Sequence, residues 1–158
     1  MLTKMLPDQI SKFWPIIKYA VEESLPPMVG ENPDKMNRIL SSMISGKLEV
    51  WASYRYEEEI IKFEAILVTQ LLFDEASGVK NLLLYCVYGY TVITDSSWLE
   101  GFKAISKYAK SLGCSGIVAY TANENVVELA KKFGADTSFV FVSIPLNKLV
   151  LEQNELED

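Results

Sequence analysis

The most constraining feature of the sequence is an apolar run near its middle, VKNLLLYCVYGYTV, over residues 79–92. Its few polar residues do not alternate with apolar ones, so the pattern of a half-buried strand is missing. A continuous apolar strand is typical of a place inside a sheet with both faces covered. The chain must therefore supply neighbouring strands and helices for both faces. No run approaches the roughly 20 apolar residues of a membrane-spanning helix, and we expect no membrane association.

The segments on either side of this run provide those layers. Residues 7–24 and 33–45 have helical spacing, and Pro15 predicts a kink or a break in the first helix. Two strand patterns joined by short turns precede the run, and after it helix and strand patterns alternate. The predicted strands are 47–56, 60–73, a short buried 115–121 and a closing 137–146; the later helices are 96–113 and 123–134. This order predicts a mixed α/β (α+β) fold with antiparallel N-terminal strands and helices on both faces of one sheet.

Length and charge bound the class of protein. The chain of 158 residues predicts one domain over residues 1–150, followed by an acidic and flexible tail over 151–158. A net charge of -6 argues against a nucleic-acid binder, which neutralises phosphates, and against attraction to anionic membranes. The N-terminus lacks the apolar run and cleavage site of a signal peptide. We therefore expect a cytoplasmic protein.

The residue types that are missing exclude several kinds of site. The sequence has no histidine and only two cysteines, Cys86 and Cys114. Ser-His and Cys-His nucleophile pairs are therefore excluded, and we expect no metal site. Two cysteines in a domain of ordinary size are poor evidence for a disulfide, so we expect reduced, buried thiols.

The order of elements resembles the GNAT superfamily of N-acetyltransferases over nearly the whole chain. The segment SGIVAYTANENVVELAKKFGADTSFVFVSI is similar to the family's strand, helix opening with Asn, helix-ending Gly and closing strand. WLEGFKAISKYAKSLGC resembles the family's long cofactor-side helix. The arrangement of YGY before that helix and GCSGIVAYT after it also resembles a branch of GNAT-like proteins encoded in phages and prophages.

The resemblance implies acetyl-CoA binding where the apolar strand meets the next helix, in VYGYTVITDSSWLEGF over residues 87–102. The family pattern there is Gln or Arg, two residues, Gly, one residue, then Gly or Ala. This chain has no glycine between Thr91 and Glu100, no Lys or Arg in the junction, and Asp95 at the helix start. We expect Ser97 and Glu100 to form a capping box that uses the helix N–H groups. The motif therefore does not support the acetyl-CoA that the resemblance implies.

Any ligand would then be held by strand amides. The candidate cofactor-binding residues are Val87, Tyr88, Tyr90, Ser97 and Asn125. Gly89 is predicted to mark a bulge that separates two strands at this point. Tyr85, Tyr88, Tyr90 and Tyr120 either gather at a cleft between strand ends or pack their rings and leave their hydroxyls at an edge.

The resemblance also implies a catalytic tyrosine four residues before the helix-ending Gly134, but Ala130 occupies that position. The weak catalytic candidates are Glu64, a carboxylate between apolar neighbours, and Tyr88. Glu64 can equally point to solvent.

Two functions remain open. One is an N-acetyltransferase-like protein with a degenerate acetyl-CoA site and weak or lost catalysis, an acyl-CoA-dependent N-acyltransferase if active. The other is a non-catalytic GNAT-like structural or binding protein of a phage or prophage, located in the host cytoplasm or the virion. For either function we expect a protein partner or self-association.

Overall fold

The computed structural model describes residues 1–148 and forms one mixed sheet with helices on both faces. The strands are β1 (Leu2–Lys4), β2 (Glu49–Glu57), β3 (Ile60–Phe73), β4 (Lys80–Gly89) and β5 (Gly116–Ala119). The helices are α1 (Pro7–Lys12), α2 (Trp14–Ser24), α3 (Lys35–Ile44), α4 (Asp95–Ser111) and α5 (Glu124–Lys132). A 3-10 turn covers Leu146–Lys148. The predicted mixed α/β fold is confirmed.

The five strands follow one another in chain order across the sheet. Strands β1 to β4 are antiparallel, and β4 pairs with β5 in parallel. The apolar run forms β4, which lies inside the sheet between β3 and β5 as its composition predicts. Short turns join β2, β3 and β4, whereas the parallel β4–β5 pair is linked through α4.

Each face of the sheet has its own core. Helices α1 to α3 cover one face, where Ile17, Val21, Val50 and Val68 are fully buried. Helix α4 covers the other, where Ile105 packs with Trp51, Leu67, Leu82 and Ala109. Alternating residues of β3 and β4 point to the two faces, so each strand contributes to both cores.

Proline breaks the first predicted helix as expected. Helix α1 ends at Lys12, Phe13 has non-helical dihedral angles, and Pro15 lies in the first turn of α2. A proline is tolerated there because the first-turn N–H groups of a helix have no partner within the helix. The N-cap of α3 is Asp34, whose N–H donates to Asn32 Oδ1 over 2.7 Å.

Several predicted elements differ from the structure. The predicted closing strand over 137–146 is wrong, since residues 137–145 form no strand and are exposed. Strand β1 was not predicted. Strand β5 is only half-buried because it lies at the edge of the described sheet. The whole predicted tail, residues 151–158, lies outside the described residues.

Candidate functional site

A wedge opens between β4 and β5. The two strands pair only from Asn81 opposite Gly116 to Leu84 opposite Ala119. At the next residue β4 carries a bulge, because Cys86 pairs with Val68 and Leu84 with Thr69, which leaves Tyr85 as the extra residue. A bulge bends its strand and increases the local twist. The bulge lies at Tyr85, so the prediction that Gly89 marks it is wrong.

Backbone groups of β4 face this wedge. The Tyr90 N–H donates to the Glu64 carbonyl over 2.9 Å. Along an antiparallel strand, the N–H and C=O groups of one residue bond to the neighbouring strand, and those of the next residue point to the opposite edge. Tyr88 therefore bonds toward β3, as Tyr90 does, whereas the N–H and C=O groups of Val87 and Gly89 point into the wedge. Of the strand amides around residues 88 to 90, those of Tyr88 and Tyr90 are thus directed toward β3, and a cofactor-binding role for these residues stays a prediction.

The wedge continues into a cavity of ≈ 1270 Å³ with a mainly apolar lining. Leu84 and Val87 of β4 line it together with residues of α4, α5 and β5. Its principal apolar residues on those elements are Trp98, Phe102, Ile117, Val118, Val127, Ala130 and Phe133. The charged residues of its lining are Glu64, Glu100, Lys110 and Asp136. Such a cavity suits an apolar ligand with a few polar groups.

Helix α4 is capped from within at its amino end. Thr94 is the N-cap, and its hydroxyl accepts a hydrogen bond from the Ser97 N–H over 3.2 Å. Ser97 therefore lies inside the first turn as a donor, and the prediction that Ser97 caps the helix with Glu100 is wrong. Thr94, three residues before Ser97, performs the role because it has the extended conformation of an N-cap.

The charges near this helix end leave little net attraction for an anion. Asp95 opens the helix, and Lys132 Nζ from α5 lies 3.0 Å from Asp95 Oδ2. Both side chains are exposed, so the pair contributes little to stability. The Phe102 and Phe133 rings stack at 4.8 Å between their centroids and join the same two helices. Lys132 is thus already paired with a carboxylate at this helix end.

The loop between β4 and α4 folds onto Gly89. A Cβ atom at Gly89 would lie 3.1 Å from Ile93 Cδ1 and 3.2 Å from the Thr91 carbonyl oxygen. The absence of a side chain at Gly89 therefore lets the loop between β4 and α4 pack against it. Within residues 1–148, only Glu58 and Glu59 have positive φ among the non-glycine residues, so the junction loop does not use the left-handed conformations of a phosphate-binding turn.

The structure brings together only some of the predicted site residues. Glu64, Val87 and Ser97 line the cavity. Glu64 lies at a second bulge, since Ser53 pairs with Ala65 and Tyr54 with Phe63. Asn125 is exposed on α5, and its N–H donates to Asn123 Oδ1, which caps that helix. Cofactor and catalytic roles for these residues stay predictions.

Tyr88 and Tyr90 pack on the opposite face of the sheet, in the core under α2. Their rings are 5.0 Å apart between centroids, and Tyr88 lies 5.8 Å from Tyr19. The Tyr90 hydroxyl donates to the Ile16 carbonyl over 2.6 Å. Burial raises the pKa of Tyr90, and a hydrogen bond with Tyr19 raises the pKa of Tyr88. Only Tyr120 of the four predicted tyrosines lines the cavity, so the four do not gather there.

Two polar residues of the site were missed or underrated by the sequence analysis. Thr94 was overlooked as the helix cap, although an extended threonine just before a helix is a common N-cap. Tyr120 follows β5 directly and lines the cavity with an exposed side chain. Its position just after a strand was the available signal.

Cys86 is buried and Cys114 half-buried, and both are free thiols.

Neither a cluster of metal ligands nor a membrane-spanning helix occurs among the described residues. No three carboxylate or cysteine side chains cluster there closely enough to hold a metal ion. No helix among residues 1–148 is both long and apolar enough to cross a bilayer.

Comparison with solved structures identifies the architecture. No protein-family model and no curated protein matches the sequence. A predicted acetyltransferase from Clostridium acetobutylicum, crystallised with acetyl-CoA, is similar with a TM-score of 0.68 and 13% identity over 94% of this chain and 97% of its own. A probable acetyltransferase has a TM-score of 0.67 and 11% identity over 92% of this chain and 97% of its own. The ribosomal-protein-alanine N-acetyltransferase from Brucella melitensis biovar Abortus 2308 has a TM-score of 0.63 and 11% identity over 92% and 99%. The chain has the fold of the GNAT acetyltransferases.

Proposed function

We propose that this protein is an N-acetyltransferase-like protein that binds acyl-CoA through its pantetheine arm, with a degenerate phosphate site and weak catalysis. The observation that carries the proposal is the wedge between β4 and β5, into which the backbone groups of Val87 and Gly89 point. The similarity to a fold that holds acetyl-CoA in another protein supports the same assignment.

The wedge suits the arm because both are extended and carry amide groups. An extended ligand adds to an open strand by exchanging main-chain hydrogen bonds, and side-chain pockets supply selectivity. Val87 and Gly89 offer the N–H and C=O groups for this exchange. Leu84, Phe102 and Ile117 provide apolar surface for the methylene groups of the arm.

The phosphates of acyl-CoA fit the amino end of α4 less well than the pantetheine arm fits the wedge. Helix amino ends bind phosphates when their N–H groups are free and the local charge is positive. Here the Ser97 N–H is bonded to Thr94, and Asp95 neutralises Lys132. We therefore expect the phosphates to add little to the affinity.

The acyl group supplies a thioester carbonyl for attack by an amine, which forms a C–N bond as the C–S bond breaks. Glu64 is the base candidate for the amine proton because it is a carboxylate on the cavity lining. Tyr120 is the candidate for protonating the leaving thiolate, since Ala130 has no proton to give. Tyr88 lies on the other face and drops out of this role.

Calorimetry with acetyl-CoA and with S-acetylpantetheine tests the binding. We expect both to bind with similar affinity, and a hundredfold excess over Kd to raise the free energy of unfolding by about 2.7 kcal/mol. Val87→Trp should abolish binding by filling the wedge. Leu71→Trp, at a half-exposed position in β3 outside the lining, is the matched control and should leave binding unchanged. If neither compound binds the wild type, the proposal is wrong.

A non-catalytic binding protein is the second candidate. It is favoured by Ala130 at the expected tyrosine position and by the Phe133 ring, which stacks on Phe102 and has no proton to donate. Release of free CoA in the presence of a panel of amines separates the two. Release that falls at least tenfold in Glu64→Gln, with unchanged acetyl-CoA affinity, supports the enzyme. Binding without release supports the second candidate.

The remaining expectations belong to these proposals. A phage or prophage origin rests on the YGY and GCSGIVAYT resemblance and accompanies the second candidate. One domain over residues 1–150, a cytoplasmic location and a protein partner or self-association are likewise proposed.

A further inference from the structure

The cavity that begins at the wedge continues across the sheet as far as the first strand. Its lining within residues 1–148 includes Val87 of β4, Ala65 of β3, Ser53 of β2 and Leu2 of β1. Its volume of ≈ 1270 Å³ exceeds the roughly 300–1,000 Å³ that is usual for small-molecule sites. A pantetheine arm placed between β4 and β5 leaves the part on the β1 side of β4 unused.

Three of these lining residues lie side by side on the face of the sheet that α4 covers. Leu2 pairs with Ser53, and Ser53 pairs with Ala65. Residues two positions apart on a strand point to the same face, and Trp51 and Leu67 lie in the core under α4. Ser53 and Ala65 therefore point to the α4 face as well. We define the trough as the part of the cavity above Leu2, Ser53 and Ala65.

The depth of the trough comes from the small side chains of Ser53 and Ala65. Ile93, from the loop between β4 and α4, also lines the cavity. Its Cδ1 atom lies 3.1 Å from the Cβ position of Gly89, which pairs with Ala65. Ile93 therefore forms an apolar wall beside Ala65. A larger side chain at residue 53 or 65 would fill the space between this wall and Leu2.

The trough opens onto the wedge at Val87. Val87 pairs with Leu67 and Gly89 pairs with Ala65, so Val87 and Ala65 are diagonal neighbours on one face of the sheet. Such diagonal positions are roughly 7–8 Å apart. A ligand that lies along β4 in the wedge therefore needs only a short continuation to enter the trough.

The charges of the lining favour an uncharged continuation. In the lining formed by residues 1–148, Glu64 is the only charged residue that belongs to β1, β2 or β3. Placing a carboxylate in an apolar site without a cation is costly. The trough therefore suits a hydrocarbon chain better than a chain that ends in a carboxylate.

We propose that the acyl group bound by this protein is longer than acetyl and lies in the trough as a hydrocarbon chain of medium length. This inference rests on the proposed acyl-CoA binding. Neighbouring strands are about 4.8 Å apart, so the two intervals from β3 to β1 span roughly 10 Å. An extended chain covers at most about 3.6 Å per three bonds, so about eight carbons fill that length.

Calorimetry with a series of S-acylpantetheines tests the chain length. The probes are the acetyl, butanoyl, hexanoyl and octanoyl thioesters. We expect each added methylene to raise the affinity by about threefold to fourfold until the chain reaches about eight carbons. The adipoyl thioester, which is a hexanoyl chain ending in a carboxylate, should bind about tenfold or more weakly than the hexanoyl thioester.

Two substitutions that fill the trough locate the chain. Ser53→Leu and Ala65→Leu should each lower the ratio of octanoyl to acetyl affinity by about tenfold, because the added side chain occupies the space of the chain. Ser41→Leu is the matched control, since Ser41 is exposed on α3 and lies outside the lining. It should keep the ratio of the wild type. Circular dichroism must show that each variant keeps the wild-type secondary structure.

The outcomes separate this inference from the proposed function. If S-acetylpantetheine binds and the affinity stays flat or falls as the chain lengthens, the inference is wrong and the proposed function stands. A gain with chain length that both Ser53→Leu and Ala65→Leu retain also overturns the inference, because the chain then lies outside the trough. If no thioester of the series binds, both are wrong.

Discussion

The Thr94 hydroxyl accepts a hydrogen bond from the Ser97 N–H over 3.2 Å, and the Thr94 carbonyl accepts the Trp98 N–H over 3.0 Å. Thr94 therefore closes the amino end of α4 at the junction where the family resemblance implies a phosphate group. Under the proposed function, this relationship predicts weak binding of the acyl-CoA phosphates, and substitutions test that prediction.

Removing the cap should weaken the fold. Thr94→Ala is expected to lower the free energy of unfolding by about 1 kcal/mol because the Ser97 N–H loses its acceptor. Ser97→Ala keeps the N–H and is the matched control, with an expected change within about 0.5 kcal/mol. Urea denaturation of both variants measures the difference. A larger loss in Ser97→Ala would restore Ser97 as the cap.

Neutralising the acid at the helix start should improve phosphate binding. Asp95→Asn removes a carboxylate and releases Lys132, whose Nζ lies 3.0 Å from Asp95 Oδ2. A charge near a helix end contributes about 0.3–1 kcal/mol. We expect acetyl-CoA affinity to rise by about twofold to fivefold, while S-acetylpantetheine affinity stays constant. Calorimetry with both compounds checks this, and an equal gain for both would contradict the assigned phosphate position.

Two glycines should respond to alanine in opposite directions. Gly89→Ala places a Cβ 3.1 Å from Ile93 Cδ1 and 3.2 Å from the Thr91 carbonyl oxygen. We expect a loss of about 1–3 kcal/mol from this overpacking. In α4, the Cβ of Gly101→Ala would have no atom within 4 Å outside the backbone of its own helix. The free energy of unfolding should therefore rise by about 0.5–1 kcal/mol through the higher helix propensity of alanine. Thermal unfolding of both variants measures the signs, and a neutral Gly89→Ala would mean that the junction loop yields easily.

Stability should decline at alkaline pH partly through Cys86. Burial raises the pKa of this thiol from 9.0 to about 12, and a hydrogen bond with Ser24 opposes the rise. Because the folded pKa is the higher one, the contribution to stability is complete below pH 9.0 and is lost as the pH rises toward about 12. Urea denaturation of Cys86→Ala should show a shallower decline across this range, although the variant is less stable throughout because it leaves a cavity.

Tyr85 and Tyr90 should continue the alkaline decline in Cys86→Ala, since burial raises the pKa of both phenols. A decline of unchanged slope in that variant would mean that Cys86 ionises as easily in the folded protein as in the unfolded one.

The broad architecture followed from patterns that depend on local sequence. The continuous apolar run predicted that β4 lies inside the sheet, and alternation predicted β2. The spacing of Trp98, Phe102, Ile105 and Ala109 predicted α4, which buries Ile105 and Ala109. These features are readable because the periods of helix and strand are set by backbone geometry alone.

The sequence predicted the site less well than the architecture, because the site depends on the pairing register of β3 and β4. The bulge at Tyr85 is defined by the way Val68 and Thr69 pair with β4, and no pattern within β4 marks it. The same register decides that Tyr88 and Tyr90 face α2 while Val87 faces the cavity. A bulge shifts the alternation by one residue, so the face of every later side chain changes with it.

The sequence by itself determined which chemistries are absent: a chain with no histidine has no histidine base, and a junction without glycine between Thr91 and Glu100 lacks the usual phosphate turn. Only the tertiary structure decided that the backbone groups of Val87 and Gly89 face an open wedge, that Tyr88 and Tyr90 face α2, and that the apolar residues 137–146 form no strand pair within residues 1–148. Those outcomes depend on hydrogen bonds and contacts between distant segments, whose partners a local pattern does not specify.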